Sequence, residues 1–266
     1  MTATANARQH RTPHKEPTAS LGARLFGGVM WLCALGAVAL FRVIDSTIDL
    51  HVFGYEHVAA QIRARRPFIV VVWHGKGLLP IFFFQGLPLV VYSSQPRDGT
   101  LRPISAYIRR LTLGALHHLG YQVVDAAQYP SESRGVIRFL QVLGHSHGGV
   151  IAADGPAGPM FHAKPGAAFV AKKTGVSLIP VGAAMQHVIT FESWDRFEIP
   201  EPFTKGALVA GTPIVVPDDI DDAGLADLSR HLELVLNDLT AQAEVEAFAT
   251  RARRAPASSS EVADPP

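Results

Sequence analysis

The stretch Phe68-Ile69-Val70-Val71-Val72-Trp73-His74-Gly75-Lys76 sets the reading of this chain. Its apolar, largely β-branched run lies between Pro67 and Gly75, which is the pattern of a short strand over 68–73. A helical pattern follows over 77–85. A strand end that opens into a helix is where α/β folds expose reactive groups. A histidine placed there has an ordinary pKa of ~6.5 and can serve as a general base. It can equally cap the helix or bond the backbone, and position alone does not choose between these roles.

Outward from this segment, strand patterns recur at 47–53, 88–92, 121–124, 149–153, 177–182 and 207–211. Helical patterns fall at 101–119, 132–143, 166–173 and 225–246. The last places Leu225, Leu228, Leu232, Leu236 and Leu239 on one face, as expected of a helix packed across a sheet. The alternation predicts a layered α/β fold, with a mixed, largely parallel sheet flanked by helices. Hydrophobic residues make up 48% of the chain, enough to build that core.

Two further strand ends carry chemistry. Ser93-Ser94-Gln95-Pro96-Arg97-Asp98-Gly99 follows the strand at 88–92. Asp98 suits a helix cap, while the planar fork of Arg97 suits a phosphate or carboxylate. Ala153-Asp154-Gly155-Pro156-Ala157-Gly158-Pro159 follows the strand at 149–153. Asp-Gly-Pro is ordinary turn chemistry, but a rigid loop there can also present Asp154 and backbone N–H groups to a ligand. Arg134 and Lys164 add positive charge for a phosphate. His74, Arg97/Asp98 and Asp154 are thus all expected at carboxyl ends of strands, the edge where open α/β sheets bind ligands.

Gly144-His145-Ser146-His147-Gly148 matches the G-x-S-x-G pattern of serine hydrolases. That motif needs a strand before it and a helix after it, and here the order is reversed. A helix-to-strand loop is expected, with a serine hydrolase using Ser146 and His231 or His187 as the alternative. His117 and His118 fit the end of a helix. Histidine and cysteine spacing gives no metal site, and no phosphate loop or dinucleotide fingerprint occurs. A net charge of +1 gives no argument for nucleic acid. The single cysteine, Cys33, excludes a disulfide within the chain.

The termini differ from the centre. Residues 1–22 are polar and basic, and 249–266 are rich in Ala, Ser and Pro; both read as disordered tails. Between Arg24 and Arg42 the chain is uncharged and apolar. A spanning helix needs ~20 apolar residues, so this segment is at the short end. It fits a cleaved signal, a single span, a helix lying in one leaflet, or a buried core helix. Residues 23–44 are expected as a membrane-associated helix and 45–248 as the α/β domain.

In order along the chain come Trp-His-Gly at 73–75, Arg-Asp-Gly at 97–99, Ser-Arg-Gly at 133–135 and Asp-Gly-Pro at 154–156. Lys-Pro-Gly at 164–166, Ile-Pro-Val-Gly at 179–182 and Ser-Trp-Asp-Arg-Phe at 193–197 follow. This series resembles a bacterial branch of the lysophospholipid acyltransferase superfamily, over residues 48–215. The resemblance implies a glycerolipid acyltransferase-like fold. It implies transfer of a fatty acyl group from acyl-CoA or acyl carrier protein to a hydroxyl of a lysophospholipid-like or lipid A-like acceptor. It makes His74 the base and requires no cofactor or metal beyond the donor substrate. The superfamily pairs that His with an acid five residues on, where this chain has Leu79. Asp98 is then the first candidate acid and Asp154 the second. Asp154, Gly155 and Pro156 stand at the acceptor-phosphate loop, with Arg97, Arg134 and Lys164 to replace its missing arginine. A lipid acceptor favours the leaflet-embedded reading of 23–44, with the domain on the cytoplasmic face of the inner membrane. A non-catalytic lipid-binding protein on the same fold is the remaining alternative, motivated by Leu79.

Overall fold

The computed structural model describes residues 21–94 and 103–249. Its described helices and strands run α1 Leu21–Thr47, β1 Asp49–Phe53, α2 Tyr55–Arg63, β2 Phe68–Val72, α3 Leu78–Phe83 and β3 Leu89–Ser93. They continue with α4 Pro103–His118, β4 Gln122–Asp125, α5 Glu132–Leu143, β5 Gly148–Ala152 and α6 Gly166–Thr174. The chain then forms β6 Ser177–Met185, β7 Val188–Thr190, β8 Glu198–Pro200, β9 Lys205–Ala210 and α7 Asp222–Phe248.

Seven strands form one sheet in the order β1-β9-β6-β2-β5-β3-β4. All neighbours are parallel except β6 and β9. The sheet is thus mixed and largely parallel, with helices on both faces. β2 sits in the middle, and all five of its residues are buried. Alternate residues point to opposite faces. Ile69, Val71 and Trp73 enter a core with Phe139, Leu143, Leu232 and Leu236. Phe68, Val70 and Val72 enter a second core with Leu79, Tyr121, Ile179 and Leu208. An uninterrupted apolar run is what a strand covered on both sides requires.

Leu79, five residues beyond His74, is fully buried in that second core. A Cβ added at Gly206 of β9 would lie 3.1 Å from its Cδ2. The site where the resemblance expects an acid is therefore occupied by core packing against the sheet.

The C-terminal part of α1 docks on the domain. Val38 and Ile44 are buried, Asp45 accepts a bond from Gln85 at 2.7 Å, and α1 packs beside α4. Val29, Leu32, Leu40 and Val43 on the same helix stay exposed. No helix among the described residues is long and apolar enough to cross a membrane.

Three elements, α2, β7 and β8, were not expected from the sequence. α2 is short and buries only Val58. β7 and β8 pair as a two-stranded hairpin apart from the main sheet. This hairpin joins the end of β6 to the approach to β9. Because β6 runs parallel to β2, with Phe68 aligned to Ser177 and Val71 to Pro180, the hairpin that follows Met185 leaves from the edge where β2 ends.

Candidate active site

β2 and β5 are adjacent and parallel, with Val72 aligned to Ala152. Two residues further on, His74 and Asp154 stand side by side. The backbone N–H of His74 donates to Asp154 Oδ1 at 3.0 Å. Asp154 is fully buried. Burial raises its pKa above the ordinary carboxylate value, against the opposing pull of N–H groups from His74, Asp154 itself and Phe161 and of the His74 ring. It supports the histidine's main chain and does not bond its ring.

The ring is held by another acid. His74 Nδ1 lies 2.5 Å from Asp195 Oδ2. Asp195 is 4% exposed while the His74 side chain is 46% exposed. Desolvation alone would raise the Asp195 pKa. Hydrogen bonds from His74 and Ser193 outweigh it and hold the carboxyl below its ordinary range. Asp195 is therefore ionised at neutral pH, and the hydrogen between the two belongs on His74 Nδ1. That tautomer leaves Nε2 with its lone pair available.

The segment between β7 and β8 is built to carry Asp195. Ser193 Oγ donates to Asp195 Oδ1 at 2.5 Å and accepts from the Phe197 N–H at 3.4 Å. The Phe191 N–H donates to the Phe197 carbonyl at 3.0 Å. Trp194 and Phe197 stand beside the His74 ring, with centroids 5.5 and 6.1 Å from it. Two glycines permit this approach. A Cβ at Gly75 would lie 2.0 Å from the Asp195 carbonyl oxygen, and one at Gly158 would lie 2.6 Å from Trp194. Gly158 also has φ +66°, a region that side-chain-bearing residues rarely enter.

The other expected residues divide into three groups. Gly155 and Pro156 follow Asp154 at this edge, and the Lys164 side chain lies over Gly155, with Nζ 3.5 Å from where a Cβ would stand. Arg134 is exposed in the first turn of α5. Arg97 and Asp98 lie outside the described residues, so neither expectation for them meets a structural observation. Asp195 lies in the Ser-Trp-Asp-Arg-Phe segment, where nothing in the sequence alone pairs it with His74. Its one local signal is an acid set between Trp194 and Arg196, two residues before Phe197. Asp154, expected as the second candidate acid, touches the backbone of His74 instead.

Ser146 is in a helix-to-strand loop, as its flanking patterns imply. Its Oγ donates to the carbonyls of Leu143 and Gly148. It precedes β5, so it lies at the opposite end of the strands from His74.

No protein-family model matches the chain. Over 120 residues, 44% of its length, it is 25% identical to an uncharacterized protein of Rickettsia prowazekii (strain Madrid E). That match spans about half of the Rickettsia protein, 54%. Among solved structures the chain is similar to the 1-acyl-sn-glycerophosphate (LPA) acyltransferase PlsC of Thermotoga maritima. The TM-score is 0.47 and the identity 18%, over 83% of this chain and 89% of that one. A likeness at this distance assigns neither activity nor residue roles.

Proposed function

We propose that the protein transfers an acyl group from a thioester to a lipid hydroxyl, with His74 as general base and Asp195 as its partner acid. The observation that carries this reading is the His74 Nδ1–Asp195 Oδ2 contact of 2.5 Å beneath a ring that is 46% exposed. The ordered motif series from residue 48 to 215 supports the choice of reaction. In the proposed step, His74 Nε2 takes the proton of the acceptor hydroxyl, and the oxygen attacks the thioester carbonyl. A C–O bond forms, the C–S bond breaks, and the thiolate leaves with the proton returned by His74. Asp195 stabilises the imidazolium that exists between those events. An acceptor phosphate would meet Lys164 over the Asp154-Gly155-Pro156 loop, with Arg97 and Arg134 as further proposed contacts. Acyl-CoA or acyl carrier protein is the proposed donor.

The exposed apolar residues of α1, Val29, Leu32, Leu40 and Val43, suit a helix lying in one leaflet. This would bring the domain to a lipid acceptor at the cytoplasmic face of the inner membrane. Purified protein incubated with acyl thioesters and a panel of lysolipids should release free thiol, and His74→Ala should abolish that release. Full-rate release by His74→Ala would overturn the assignment.

A further inference from the structure

We propose that Lys76 and Glu198 are positioning residues that clasp the β7–β8 hairpin to the His74 turn and so hold Asp195 against His74. This rests on reading His74 and Asp195 as the working pair. Lys76 Nζ lies 2.6 Å from Glu198 Oε1, with the two side chains 16% and 14% exposed. Lys76 is two residues after His74 and Glu198 three after Asp195. Two segments more than 120 residues apart are thus joined twice, by contacts of nearly equal length.

The clasp is more than a surface ion pair. Glu198 Oε2 is buried and has no hydrogen bond, so its carboxylate depends on Lys76 for compensation. Glu244 of α7 stands 3.8 Å from Lys76 and is 53% exposed, so it tethers the lysine only loosely to the helix behind it. Between the two joined pairs, Gly75 lets the Asp195 carbonyl come closer than any side chain would allow. The hairpin has only three residues in each strand and lies outside the main sheet. Its own ladder gives little to fix where the tip points. A charge-assisted bond at the loop end of that ladder, where Glu198 pairs with Thr190, supplies that constraint, because a shift there moves Asp195 away from a 2.5 Å contact.

The test uses the full chain and reads the pair directly by NMR. The Asp195 carboxyl is followed by ¹³C titration, and the His74 Nδ1 proton by its low-field resonance. In Glu198→Gln the Asp195 midpoint should rise toward the ordinary carboxylate range, and the low-field proton should be lost to exchange. Lys76→Gln should do the same from the other side, and it serves if Glu198→Gln does not fold. Lys76→Arg should restore both signals, and Glu244→Gln should leave both unchanged. Wild-type signals in a folded Glu198→Gln or Lys76→Gln protein would overturn the clasp. Failure of the wild type to release thiol would overturn the acyl-transfer reading alone, since the NMR outcomes decide the clasp without turnover.

Discussion

Asp195 binds His74 through one oxygen and Ser193 through the other. Asparagine fits the same space but presents a neutral group that cannot stabilise the imidazolium. Asp195→Asn should lower thioester turnover by roughly 10²–10⁴-fold with little change in secondary structure, measured as thiol release beside circular dichroism. The same residue sets an acid limit. Its folded pKa lies below the ordinary 3.8, so its bonds add stability above that value. The contribution is lost as pH falls through the folded pKa. The stability gap between wild type and Asp195→Asn should therefore narrow below about pH 4 in urea unfolding. Leu79 makes the converse case. Leu79→Asp would restore the expected motif by sequence, yet its carboxyl would enter the core beside Ile179 and Leu208. It should destabilise the fold by about 3–5 kcal/mol, as an uncompensated buried charge does, and should not raise turnover. His74 was legible because a buried strand ended on it. Its acid was not, because no local spacing marks a contact made 121 residues away.

Among the elements, the ones expected from the sequence are those that bury continuous apolar faces. β2 and β6 are almost wholly buried, and α5 occupies the residues 132–143 that its pattern implies. α2 was missed because it turns one buried residue inward. β7 was missed because its residues are exposed or half-buried, so no burial alternation marks them as strand. Such elements are fixed by what they dock against, and for the hairpin that means the turn after β2. Gly75→Ala tests the docking. Its methyl group would overlap the Asp195 carbonyl, so the hairpin must move while the sheet can remain. Turnover should drop by at least 10²-fold, with the loss exceeding any fall in melting temperature would suggest. Retained turnover would show that the close approach is dispensable.

At the scale of the whole molecule, the antiparallel junction between β6 and β9 within the seven-stranded sheet organises the site edge. It sends the hairpin out beside His74. Phe203, just before β9, donates its N–H to Thr47 of α1 at 3.0 Å, so the last turn of α1 meets the chain at that same edge. If α1 lies in one leaflet, this geometry keeps the site close to the lipid surface. Leu32→Glu with Leu40→Glu, both at exposed positions, should release the protein from anionic vesicles in a flotation assay. Folding should be unaffected, because neither side chain is in a core. Continued flotation would remove α1 as the attachment.

The placement of Asp195 also has a consequence in time. A base and acid five residues apart could meet as soon as one helix formed. Here the partner emerges late in synthesis, and the pair closes a loop of 121 residues. Non-local contacts are slow to form because the chain entropy of closure comes first. A nascent or truncated chain ending before residue 195 therefore carries an unaccompanied histidine, and competence arrives only with the hairpin. In refolding from urea, far-UV ellipticity should recover before thiol-releasing activity does. Simultaneous recovery would show that the pair assembles with the sheet itself.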